Sequence, residues 1–127
     1  MRNERNNTQA PAVNFELGGE VQRKRAKVIR CLRALEFVRV AWAAKVMERS
    51  GLYQLLEGLL NCLPEADKTI LDTVDVRWRE YPNGSEESYT AAAMAAGVDV
   101  DMVSRIRADA ISLLSEGIEG ALGANWA

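Results

Sequence analysis

Residues 97–114, "GVDVDMVSRIRADAISLL", decide how this chain is read. The stretch opens on Gly97, and glycine accepts the left-handed backbone that a tight turn after a helix requires. Asp99 follows, a residue type suited to an N-cap. Val103, Ile106, Ala110, Leu113 and Leu114 then recur at helical spacing and predict a helix over 100–116 with these residues on its inner side. The same helix carries Arg105 and Arg107, but Asp99 and Asp101 stand at its beginning.

Immediately upstream, Ser88 is a good N-cap for a short helix "YTAAAMAA" over 89–96. Ala93 precedes the turn glycine by four residues, where two helices approach most closely, and Ala92 and Ala96 keep the first helix slim. Val103 and Ile106 follow the glycine by six and nine residues, where the second helix packs back. A small residue, a turn glycine and two apolar residues at these intervals predict a helix-turn-helix. Before it, Leu63-Pro64 opens another helix, with Glu65 and Asp67 at the positive end of its dipole. Ile70, Leu71, Val74 and Trp78 form its expected buried face. The segment "EYPNGSEES" (80–88) is the longest turn-rich break in the chain.

The first half reads as two further helices. Residues 20–49 contain no glycine or proline, and Val28, Cys31, Leu35, Val38 and Trp42 repeat in steps of three and four, a coiled-coil-like seam that Lys45 interrupts. Ser50-Gly51 is the expected stop. In "LYQLLEGLLNCL", Leu52, Leu55, Leu56, Leu59, Leu60 and Leu63 share one face, which must be covered by the long helix, the C-terminal helices or a second copy. Residues 1–19 read as a flexible arm, with Pro11, the pair Gly18-Gly19, and Arg2 and Arg5 as contacts for an acidic partner. The expected organisation is therefore all-α. A flexible arm (1–19) leads to a helical N-terminal part (20–63) for oligomerisation, followed by a helix-turn-helix domain (64–127).

Composition narrows the function classes. The chain has no histidine, which removes the commonest general base and the commonest zinc ligand. It has no glycine-rich phosphate loop and no nucleophile elbow, so a non-catalytic protein without metal or cofactor is expected. The two cysteines, Cys31 and Cys62, lie far apart and suggest a reduced, cytoplasmic setting. No apolar run is long enough for a membrane span, and the polar N-terminus is not a signal peptide. Net charge is only −2, yet residues 1–63 hold 11 Lys/Arg against 6 Asp/Glu, and residues 64–127 hold 5 against 12. A basic half and an acidic half are thus concealed in a neutral whole.

The residues "LPEADKTILDTV … SYTAAAMAAGVDVDMVSRIRADAISLL" resemble region 4 of the sigma-70 family. The resemblance rests on Leu63-Pro64-Glu65, the cap Ser88, the turn Gly97-Val98, and Val103, Ile106 and Ala110. It covers 63–116. The N-terminal half does not resemble sigma region 2, and the whole is more similar to small phage regulators of the ArpU/RinA type, with late antiterminators of lambdoid phages as relatives of the same kind. The resemblance implies a DNA-binding transcriptional regulator whose groove-facing residues are Val100, Asp101, Ser104, Arg105 and Ala108. In that role Asp101 accepts from cytosine and Arg105 bonds guanine through its guanidinium fork. Thr90 and the backbone N–H groups opening its helix would meet phosphate.

Charge opposes this expectation, because a DNA binder gains most of its non-specific affinity by neutralising phosphates. The missing charge lies in "RKRAKVIRCLR", where Arg23, Lys27 and Arg30 share one helical face and can follow a phosphate backbone. Where that helix docks should decide between the readings. Beside the recognition helix, it favours a regulator of double-stranded DNA, homodimeric through the long helices. On the far side, it favours an adaptor that binds a protein such as RNA polymerase. A phage terminase small subunit, which also joins a helix-turn-helix to an oligomerising helix, is the third reading.

Overall fold

The computed structural model describes residues 11–49 and 51–127, with the side chains of 11–18 left undescribed. Arg2 and Arg5 lie outside the described residues. The described chain is all-α: α1 (Pro11–Ala43), α2 (Gly51–Asn61), α3 (Glu65–Leu71), α4 (Ser85–Ala96) and α5 (Val100–Leu122). A π-helical segment (Asp72–Val76) and a 3-10 turn (Trp78–Glu80) continue α3 toward α4. No described helix is long and apolar enough to cross a membrane.

Both ends of α1 differ from expectation. The described helix runs from Pro11, so residues 11–19 belong to it and not to an arm. The two glycines cost about 1 kcal/mol each, which a long helix can absorb. It also ends six residues before Arg49. The Lys45 N–H donates to the Trp42 carbonyl (3.1 Å) and the Val46 N–H to Ala41 (3.0 Å), with Lys45 left-handed at φ 62°. This bond pair closes a helix as a glycine cap does, here without glycine. Trp42 is buried in that last turn, and the Arg49 guanidinium folds back to 4.9 Å from its ring centroid. That return of the chain explains why the helix stops before Ser50-Gly51.

The seam Val28, Cys31, Leu35, Val38 and Trp42 is buried within this single chain. Val28, Cys31 and Leu35 of it, with Leu32, meet Leu56 and Leu60 of α2 and Ala110, Ile111, Leu114 and Ile118 of α5 in one core. Each fully buried leucine or isoleucine there contributes about 1.5–3 kcal/mol. Of the leucine stripe of α2, Leu56 and Leu60 are buried in this core, and Leu52, Leu55, Leu59 and Leu63 pack half-buried at its edge. The N-terminal part and the second half of α5 therefore share a core that the expected boundary at residue 64 would divide.

A second core lies between α3, α4 and α5: Ile70, Val74, Ala92, Ala93 and Val103, flanked by Tyr89, Ala96, Val98 and Ile106. The π segment lets one stretch of chain serve both. Ile70 and Val74 face the second core at ordinary α spacing, while the wider turn (Arg77 N–H to Asp72 O, 2.9 Å) aligns Val76 with Leu71 toward the first. Between them Asp75 is fully buried. Trp78, expected inside, is 39% exposed, because the 3-10 turn carries it past the core; its Nε1–H donates to the Arg33 carbonyl at 2.9 Å.

Candidate nucleic-acid interface

The helix-turn-helix is built from α4, Gly97 and α5. Gly97 adopts φ 72°, ψ 36°, and the N–H groups of Gly97 and Val98 both donate to the Ala93 carbonyl, at 2.9 and 3.0 Å. Ala92 and Ala93 are buried against Val103, as the spacing requires. Three local expectations change. Helix α4 starts at Ser85, so Ser88 is not its cap; it is buried in the first turns, with its hydroxyl donating to the Ser85 carbonyl at 3.0 Å. Asp99 holds the N-cap position of α5, but its side chain makes no capping bond, and only its carbonyl accepts, from the Met102 N–H at 3.0 Å. Helix α5 runs to Leu122, six residues further than expected, and buries Ile111 and Ile118 while Leu113 stays 50% exposed.

The first two turns of α5 present the residues singled out from the sequence. Asp101, Ser104 and Arg105 are exposed, Val100 is half-exposed, and Ala108 is half-buried. Positions 101, 104, 105 and 108 share one helical face. Among the described residues, Arg105 makes no hydrogen bond or ion pair. Arg107, two positions on, is engaged inward. Its Nε donates to Asp75 Oδ2 (2.8 Å), its Nη2 to Oδ1 (2.7 Å), and its Nη1 to the Tyr89 hydroxyl (3.4 Å). The Asp75 carboxylate raises the Arg107 pKa, keeping the guanidinium charged despite its burial. Arg107 thus ties the π segment, α4 and α5 together and is unavailable to a ligand.

Thr90 is exposed, but it lies in the second turn of α4 and its hydroxyl donates to the Glu86 carbonyl at 3.0 Å. The free N–H groups of α4 are those near Ser85, flanked by Glu86 and Glu87, which suit the helix dipole and repel phosphate. Over residues 85–109 the acids are Glu86, Glu87, Asp99, Asp101 and Asp109, and the bases are Arg105 and the engaged Arg107.

The basic helix is placed elsewhere. Lys24 Nζ lies 2.6 Å from Glu119 Oε1, Arg25 Nη1 donates to Ser112 Oγ at 2.5 Å, and Lys27 Nζ donates to the Trp126 carbonyl at 3.3 Å while lying 5.6 Å from that ring's centroid. Arg23 and Arg30 are exposed, Arg23 with Glu20 3.8 Å away. These contacts are with the second half of α5 and the residues after it. Along the helix axis, Ser112 is about 12 Å and Glu119 about 22 Å beyond Ser104. Of Arg23, Lys27 and Arg30, only Lys27 is drawn to this end of the molecule, and the contacts of α1 with α5 fall well away from Asp101, Ser104 and Arg105.

Other chemistry finds little footing. Burial pushes the Cys31 thiol pKa up, opposite to what a reactive cysteine needs. Among the described residues, no group of three or more acidic or cysteine side chains converges as a metal site would. One surface escaped the sequence reading: the Arg79 guanidinium lies 3.8 Å from the centroid of Phe37 and 5.0 Å from that of Trp78, both rings exposed. Its signal was Phe37 and Val40, apolar residues standing off the buried seam.

Compared with protein-family models, with curated proteins and with solved structures, the chain matches none. Any functional reading therefore rests on the geometry and on the resemblance of residues 63–116.

Proposed function

We propose that the protein is a sequence-specific regulator that reads double-stranded DNA with the first two turns of α5. The observation that carries this reading is the contrast between Arg105 and Arg107: the fold uses one as an internal tie and leaves the other exposed beside Asp101 and Ser104. A guanidinium with no partner among the described residues, at the sixth residue of α5, suits two acceptors on one guanine edge, and Asp101 suits a cytosine amino group. Asp99 and Asp101 weaken phosphate attraction, so affinity would lean on base contacts more than on charge. Selection of bound sequences from a random duplex pool tests the reading. Enrichment of a motif containing a G that Arg105→Ala no longer demands supports it, and recovery of unenriched sequence refutes it.

A second reading has its own observation. The outer surface of α4 and the start of α5 is acidic, and Lys24, Arg25 and Lys27 of α1 are engaged at the other end of α5. A helix-turn-helix of that charge suits a basic protein surface, such as one on RNA polymerase. This reading predicts no duplex binding at low salt with capture of a protein partner retained, and a capture that Arg105→Ala leaves unchanged unless Arg105 lies in the contact.

A further inference from the structure

Two surfaces that the DNA reading does not use adjoin each other at Arg79-Glu80. The first is aromatic and basic. Phe37 (54% exposed), Val40 (67%) and Trp78 (39%) are large apolar side chains facing outward, and Arg79 is stacked on both rings. Arg33 is exposed beside them on α1, its carbonyl bonded by Trp78. Stacking holds a guanidinium in place while its donor edge stays open to a carboxylate. Aromatic residues with arginine are the side chains that dominate protein–protein contacts. The second surface is acidic, an open groove of about 590 Å³ between the 80–83 turn and the outer face of α4. Glu86 and Glu87 supply its charge, with Glu80 at its edge 3.5 Å from Arg77, and Tyr81 and the 81% exposed Met94 form its apolar wall.

We propose that these surfaces join two copies of the chain across a two-fold axis, the basic aromatic patch of each copy lying in the acidic groove of the other. Charge complementarity argues for a second copy, since the chain carries both halves of the contact side by side. A two-fold arrangement satisfies both at once and closes without leaving either half exposed. Met94 is an adaptable apolar surface for the partner's rings. The axis would lie near Arg79-Glu80, away from the buried seam of α1. The inference stands whether or not α5 reads DNA.

The test is charge reversal with complementation, read by sedimentation of the full chain over a concentration series. Wild type is expected to be dimeric. Arg79→Glu alone, and Glu86→Arg with Glu87→Arg, should each weaken self-association by at least about 100-fold through like-charge opposition. Mixed together, the two variants should form a heterodimer, because each then meets an opposite charge at both contacts. One chain carrying all three reversals should dimerise again. Helical circular dichroism reports whether each variant is folded, and Val40→Glu gives an independent probe of the basic patch if Arg79→Glu unfolds. A wild type that is monomeric throughout overturns the proposal. So does a dimer that survives the reversals, or two folded variants that fail to restore each other.

Discussion

The first two turns of α5 and its remaining four are one continuous helix, but they meet different surroundings. From Ala110 onward, the helix is enclosed between α1 and α2, with Ile111, Leu114 and Ile118 each 1% exposed. Before that, only Val103 is fully buried, and Asp101, Ser104 and Arg105 face outward. Arg107 marks the boundary, fastened to Asp75 of the π segment. A short chain can thus hold an exposed helical surface rigid without packing it away: the far half of the helix anchors it, and one buried ion pair fixes its rotation.

The largest effect expected is at that boundary. Asp75→Ala leaves the Arg107 guanidinium half-buried without a counter-charge and should cost about 3–5 kcal/mol in urea unfolding. A loss below about 1 kcal/mol would mean Arg107 reaches water freely, and the contrast with Arg105 would dissolve. Next, Leu114→Ala in the enclosed half should cost about 2–5 kcal/mol, whereas Val100→Ala in the open half should stay within about 0.5 kcal/mol. Equal losses at the two sites would break the comparison. Between these lies Gly117→Ala. A Cβ at Gly117 would stand 2.9 Å from Leu59 Cδ2 on α2, so overpacking of about 1–3 kcal/mol is expected unless Leu59 turns aside.

The smallest effect sharpens the comparison with a surface pair. Arg39 grips Glu57 by two bonds, 2.8 and 2.7 Å, much as Arg107 grips Asp75, but in partial contact with solvent. The Arg39 guanidinium holds the Glu57 pKa below its ordinary value of 4.5. The pair therefore contributes fully above that value, and its contribution is lost as pH falls through the lowered one. Glu57→Gln should cost only about 0.2–1 kcal/mol at neutral pH and flatten the acid side of the stability profile, followed by thermal melts down to about pH 3.

Much of this architecture was legible in the sequence, for reasons that separate local from tertiary physics. The α1 seam and the leucine face of α2 announced themselves because burial imposes the helical period on apolar residues. Gly97 announced the turn because few other residues accept its backbone. The π segment did not, since "DTVDV" differs from an ordinary helical turn only through the two cores it must serve. The partner of Arg107 lies 32 residues away, so nothing local separated it from Arg105. Helical spacing groups Arg23, Lys27 and Arg30, but Lys27 turns to Trp126, and its neighbours Lys24 and Arg25 turn to Glu119 and Ser112, partners too far along the chain for α1 alone to announce. Ser88 and Asp99 had the chemistry of caps; the first lies inside its helix and the second caps with backbone alone.

In the proposed function, Arg105 contacts base edges while Arg107 holds the helix in place. The most direct test of that function is the affinity of wild type and Arg105→Ala for the selected duplex, at low and moderate salt, with thermal stability measured in parallel. Wild type should bind, binding should weaken as salt rises, and Arg105→Ala should lose about 1–3 kcal/mol of affinity with melting unchanged. Folded wild-type protein that binds no duplex at low salt would contradict the proposed function.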